Sequence, residues 1–297
     1  FVLEYAKEIE TPSNAHATGS AEPAAPVASA AGRNNHGMVS DLRTLYQYRD
    51  LLVLWAMRDI RVRYKQSFLG VAWAIIQPLS VMVIFTVIFS LIARLPSDGA
   101  PYPLFSYSAL LPWTLLSTAL TMAVPSLVNN LSLVTKTYFP REILPIAAVL
   151  ASLLDFLIAA VVFVAMMLYY HTRVGPVVLL VPVILILQLF LVFGITLWAA
   201  ALNVFYRDIR FVVPLATQLW MYLTPIIYPL SMVPERFRPL YLLNPMAGFV
   251  EAYRRTLVLS QYPDWPYLGL AGLVSVLTFV LGYGFFKRAE THFADLI

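Results

Sequence analysis

Residues 66–93 contain no charged side chain, and neither do 100–135, 174–206, 211–232 or 266–286; the run 143–170 is broken only by Asp155. About 20 apolar residues are enough to cross the hydrocarbon core of a bilayer as a helix. Inside lipid every backbone N–H and C=O must find its partner within the protein, and a helix meets that demand. Only 12% of the chain is charged and 60% is hydrophobic, whereas soluble domains carry roughly 25% charged residues. The sequence therefore predicts an all-α membrane protein with six transmembrane helices, starting near residues 70, 105, 143, 174, 211 and 266.

Orientation follows from Lys and Arg. With the N-terminal side inside, the inner segments from residue 41 onward hold twelve: Arg43, Arg49, Arg58, Arg61, Arg63, Lys65, Lys136, Arg141, Arg207, Arg210, Lys287 and Arg288. The outer segments hold six: Arg94, Arg173, Arg236, Arg238, Arg254 and Arg255. Cationic loops stay cytoplasmic, so both termini are expected inside. A formal charge of +4 does not point to nucleic acid, because the cations sit in short connecting segments rather than in one basic domain.

Two segments are not spans. Residues 51–68, LLVLWAMRDIRVRYKQSF, read as an amphipathic helix with Val53, Met57, Ile60, Tyr64 and Phe68 on one face. Arg58, Arg61 and Lys65 fall on the other, and Asp59 is placed to pair with Arg63 one turn on. Such a helix lies in the membrane interface, with its cations toward anionic headgroups. The alternative is that it merely anchors the first span. The second segment, 233–255, has an uncharged core broken by Pro239 and Pro245. That core is too short to cross, so short re-entrant or interfacial helices are expected before the last span, as a collar at the outer mouth or a loop on the headgroups. Residues 1–40 are rich in Ala, Ser, Pro and Asn and cannot bury enough surface to offset ordering entropy, which predicts a flexible N-terminal tail ahead of a membrane domain at 41–297. The ASA at 28–30 resembles a signal-peptidase site, but no apolar core precedes it, so a cleaved leader is not expected.

The chemistry the chain lacks narrows its function. None of the lysines, Lys7, Lys65, Lys136 and Lys287, sits in a phosphate-cradling Gly-x-x-x-x-Gly-Lys-Ser/Thr loop. His16, His36, His171 and His292 show no metal spacing. A lone Asp155 supplies neither the paired carboxylates of glycosyl chemistry nor the chain of titratable groups of a proton relay. It is expected to face the protein interior, neutral or bonded to a hydroxyl or backbone group, with a structural role preferred over a substrate contact.

Several stretches together resemble one family. RDIRVRYKQSFLGVAWAIIQPL (58–79), YFPREILP (138–145), NVFYRDI (203–209), YLLNPM (241–246) and FADLI (293–297) occur in the order seen in permease subunits of ABC exporters for O-antigen, capsular polysaccharide and teichoic acid. The resemblance runs from about residue 41 to the C-terminus. It implies a homodimer in the inner membrane with two separate ATPase subunits on the cytoplasmic side. No cofactor is expected in this chain, ATP and Mg belonging to the ATPase. It further implies a channel along the dimer interface, lined mainly by the first and fifth spans, for a lipid-linked polysaccharide. Trp73, Trp220, Tyr222 and Tyr228 are channel candidates by position; aromatics also fill cores and mark headgroup belts. In the loop after the second span, Tyr138 and Phe139 would fill a cleft on the ATPase. Pro140 turns the chain there, and Arg141 and Glu142 would stand at the rim. The alternative for the loop is an ordinary proline turn. For the whole chain it is a non-transporting scaffold or channel of a glycan-synthesis complex; a glycosyltransferase suffers from the missing acid pair.

Overall fold

The computed structural model describes residues 44–65, 68–131 and 139–293, and every regular element among them is helical. The expected tail and Tyr138 lie outside the described residues. Helix α1 spans Arg49–Lys65. Gly70, at φ 51°, takes a left-handed conformation that glycine adopts without a Cβ clash, and there the chain turns toward the first span. That span is α2, Trp73–Phe85, prolonged by a π-helical turn over Thr86–Ile92.

Helix α3, Tyr102–Ala123, starts with Pro103 in its first turn, where a missing N–H costs nothing. A four-residue helix α4, Ser126–Asn129, follows. Next come α5, Ile143–Tyr169, and α6, Val181–Phe205, the latter entered through a 3-10 turn at Pro176–Leu180. Helix α7 covers Ile209–Tyr222. The short helices α8, Arg238–Leu243, and α9, Pro245–Tyr253, precede α10, Trp265–Glu290.

Of the six expected spans, four among the described residues are long and apolar enough to cross a membrane: Gly70–Ile92, Ile143–Tyr169, Pro176–Phe205 and Trp265–Glu290. The expected second and fifth differ, each for a physical reason. Helix α3 has 22 residues, about 33 Å of helix, yet most of it is buried by its neighbours. A helix that faces protein tolerates hydroxyls, and here they bond back to its own carbonyls, as Ser108 does to Phe105 O at 2.8 Å. Helix α7 has 14 residues, about 21 Å, because Pro225 and Pro229 force the chain into turns after Tyr222.

The most extensive helix pair is α6 with α10. They approach backbone to backbone at two glycines. A Cβ on Gly282 would stand 2.2 Å from Gly194 O, and one on Gly194 would stand 2.6 Å from Phe279 N. Without a hydrophobic drive between helices in lipid, such close approach is what holds them. Gly282→Val is therefore expected to cost the upper end of about 1–3 kcal/mol, read as a lowered melting temperature in detergent. Gly284→Val, with nothing within 4 Å of the added Cβ, should leave that temperature unchanged.

The connecting segments sort into two ends. At one, Asn203 Nδ2 donates to Val124 O at 3.2 Å, and Asn203 Oδ1 accepts from Arg210 N at 3.2 Å. Arg58 reaches Asn130 Oδ1 at 3.2 Å and Arg141 reaches Glu290 O at 2.6 Å. At the other, Tyr102 donates to Ile227 O at 2.8 Å, Ser231 to Asp98 at 3.0 Å and Gly175 N to Ser260 Oγ at 3.2 Å. Among the described residues, the first set of contacts joins segments read as inner from Lys and Arg, and the second set joins segments read as outer.

Candidate functional site

The loop before α5 is fastened to the far end of the chain. Phe139 and Pro140 are half-buried. Arg141 donates through its guanidinium to Glu290 O and through its backbone N to Glu290 Oε1 at 3.3 Å, and its cation lies 5.9 Å from the Phe293 ring centroid. Glu142, read from the sequence as a rim residue, is instead 1% exposed. Its Oε1 is 2.6 Å from Lys287 Nζ, and Lys287 also meets Glu290 Oε2 at 3.2 Å. Burial and the neighbouring Glu290 carboxylate push Glu142 up from the ordinary carboxylate value, against the pull of the Lys287 ammonium. Buried Phe293 packs between Phe205 and Phe286, with ring centroids 5.9 and 5.8 Å away. The first turn of α5 and the last turn of α10 thus form one block.

A second cluster corrects two expectations about α1. Asp59 pairs with Arg58, at 3.1 Å, rather than with Arg63. Arg63 reaches across to Asp155 in α5, and the Tyr64 hydroxyl donates to the other oxygen of the same carboxylate. Asp155 is thus ion-paired as well as bonded to a hydroxyl; a charge within a span needs a partner, and here it comes from another element. Burial lowers the pKa of Arg63 and raises that of Tyr64. The packed face of α1 is also not the expected one. Trp55 and Ala56 are buried, whereas Val53 and Met57 are exposed along with Arg61 and Lys65, and Phe68 lies beyond the helix end. Arg58 lies 3.7 Å from the Trp55 ring centroid. A helix held by a Trp, an Ala and two arginine contacts need not show a clean apolar stripe.

Arg63, Tyr64 and Asp155 line a cleft of about 260 Å³ with Trp73, Gln77 and Thr118, between α1, α2, α3 and α5. Trp73 is the one channel candidate brought there. The others gather at the opposite end. Trp220 meets Trp113 edge to face and donates to Asn244 Oδ1 at 2.9 Å, and Tyr228 shares a 2.6 Å hydrogen bond with the Tyr241 hydroxyl. Tyr222 is exposed. Asn244 also caps α9, accepting from Met246 N at 3.1 Å, and α9 is buried on nearly every side.

Sequence reasoning missed one residue at that end. Arg254, counted only as an outer charge, is 1% exposed. It donates to Pro225 O at 3.0 Å and Ile226 O at 3.3 Å, lies 3.6 Å from the Phe105 ring centroid, and stands 3.6 Å from Glu251. Burial pushes it down to about 10 and pushes Glu251 up. The available signal was an acid and a base three residues apart closing a largely apolar stretch.

Comparison with known proteins assigns a family. Residues 50–258 match the family model for the ABC-2 type transporter. The chain is 31% identical over 262 residues to the O-antigen export system permease protein RfbA of Myxococcus xanthus, covering 88% of this chain and 100% of the relative. It is 31% identical over 249 residues to the protein of the same name from Klebsiella pneumoniae, covering 84% and 95%. Over 243 residues it is 24% identical to the polysialic acid transport protein KpsM of Escherichia coli, covering 79% and 91%. The chain belongs to the ABC-2 type transporter family of membrane subunits.

Proposed function

We propose that the chain is the permease subunit of an ATP-driven exporter moving a lipid-linked polysaccharide from the cytoplasm across the inner membrane. Two copies work with two separate ATPase subunits, which hold ATP and Mg. The observation that carries this reading is the similarity to a protein named for O-antigen export across all of that relative's length. Six crossings with both termini inside are supported by the sorting of the connecting segments into two ends. Under that arrangement α3 crosses inside the bundle, and α7 crosses with help from the turns that follow it.

The block at the inner end supports a coupling role for residues 138–142. Force applied to Phe139 would reach α5 through its first turn and α10 through Glu142 and Lys287 together. Aromatic side chains with a neighbouring Arg are the usual anchors of a protein interface. Truncating an anchor costs about 2 kcal/mol or more, roughly thirtyfold in affinity. Tyr138→Ala with Phe139→Ala is therefore expected to insert normally, to lose most ATPase co-purification, and to accumulate glycan inside cells. Wild-type co-purification and surface glycan in that variant would reduce the loop to a turn. Surface glycan that persists without any ATPase subunit would instead favour the scaffold.

A further inference from the structure

Residues 225–231 follow α7 as a strap that three elements hold. Tyr102 in α3 donates to Ile227 O at 2.8 Å, and Ser231 donates to Asp98, in the segment before α3, at 3.0 Å. Arg254, where α9 passes into a π-helical turn over Arg254–Val258, donates to Pro225 O and Ile226 O. A π turn set into helical backbone is a rare geometry that recurs at functional sites. One turn back on α9, Glu251 Oε2 stands 3.6 Å from Arg254 Nη1, too far for a hydrogen bond. Arg254 Nη1 and Nε have no hydrogen-bond partner among the described residues, and neither has the Glu251 carboxylate. A buried acid and a buried base thus lie side by side without bonding each other.

The other groups around Glu251 divide in sign. Asp98 acts from the segment before α3, and Asp264 and Tyr267 act from the start of α10. Arg255, in the π turn, is already paired with Asp264 at 3.5 Å, and Arg238 in α8 is paired with Glu235 at 3.5 Å. Tyr102 in α3 acts on Arg254, and α6 carries no charged residue. Burial, with Asp98 and Asp264 behind it, pushes Glu251 up, and the pull of Arg254 and Arg255 does not offset it. The Glu251 side chain is 15% exposed, so a proton reaches it without the strap opening.

We propose that Glu251 is a proton sensor for this end of the bundle: its protonation favours the closed strap, and its ionisation loosens residues 225–228 from Arg254. The sign follows from where the carboxyl group goes. In the open form it meets water and titrates as an ordinary carboxylate; in the closed form it is buried and binds its proton more tightly. The form that binds the proton more tightly gains as pH falls. The strap is therefore held best at low pH and loosens as pH rises through the raised value of the closed form. Arg254, pushed down only to about 10, is charged in both forms over that range and leaves the sign unchanged. The device does not depend on what the chain carries.

The test is hydrogen exchange of the full chain in nanodiscs between pH 5 and pH 8, each rate corrected for the intrinsic pH dependence of amide exchange. Opening at residues 226–228 is expected to be rarer at pH 5, by up to about tenfold for each pKa unit that closure adds to Glu251. Glu251→Gln should abolish the dependence and hold the strap at pH 8 as firmly as the wild type holds it at pH 5. Asp264→Asn removes one acid and frees Arg255, so it should move the midpoint to lower pH; a merely structural role would move no midpoint. That shift decides the matter even if Glu251→Gln fails to insert. Equal opening at both pH values, or opening rarer at pH 8, would overturn the proposal. So would a dependence that persists in Glu251→Gln, or a midpoint that Asp264→Asn leaves in place.

Discussion

Replacing Lys287 with methionine is expected to free the loop at 139–142 from the end of α10 and to cost about 3–5 kcal/mol, the penalty of leaving one member of a buried ion pair alone. Glu142 is 1% exposed and its Oε2 has no hydrogen-bond partner among the described residues, so the side chain has little access to water. With the ammonium gone, the carboxylate that burial and Glu290 already push up either takes a proton or leaves its site, and either outcome breaks the tie. Lys287→Met should therefore lower the melting temperature in detergent and make a cysteine placed at residue 139 more reactive. It should also weaken export more than it weakens ATPase binding, because the loop remains but no longer moves α10. Glu142→Gln combined with Lys287→Met removes both charges and should recover most of the melting temperature but not the export. Equal melting temperatures in the wild type and in Lys287→Met would show that the pair contributes nothing.

Much of this was legible in sequence, and the remainder was hidden for definable reasons. Uncharged runs announce α2, α5, α6 and α10, because a bilayer requires both their length and their lack of charge. Helix α3 was found by the same rule but for a different environment: it is covered by protein, which its serines and threonines hint at and hydropathy alone does not. The end of α7 at Tyr222 followed from two prolines that a count of apolar residues passes over. Pairings between elements were the hardest to see. Asp155 needed a cation, and the nearest candidate by helical spacing for Arg63 was Asp59, one turn away; Asp155 is 92 positions distant. Local rules favour the neighbour, whereas the fold satisfies the more deeply placed acid. Glu142 shows the same effect, since its partner Lys287 lies in the last helix, far along the chain. A charge flanking a loop reads as a surface charge until the element that covers it is known.

Arg254→Met is the second substitution expected to be severe, again by about 3–5 kcal/mol, and its effect should appear at the end of the bundle that carries α8 and α9. Methionine fills similar space, so the loss is one of bonds rather than of volume. Three groups lose their partner together: the carbonyls of Pro225 and Ile226, at the break after α7, and the Glu251 carboxylate. The ring of Phe105 loses a cation at 3.6 Å, a contribution of about 2 kcal/mol when desolvated. Although burial pushes Arg254 down to about 10, it stays charged at neutral pH, so the variant removes a full positive charge from a buried site. Hydrogen exchange should rise at residues 223–229 and in α9, because Arg254 joins them, and should stay unchanged in the first turn of α5 at the other end. Arg254→Lys keeps the charge but cannot donate to both carbonyls while lying flat on Phe105, so an intermediate loss is expected. Adding Glu251→Gln to Arg254→Met should recover the part due to the stranded carboxylate and leave the part due to the carbonyls. Full recovery in that double variant would mean the two carbonyl bonds contribute nothing, and α9 would then be held by its apolar burial alone.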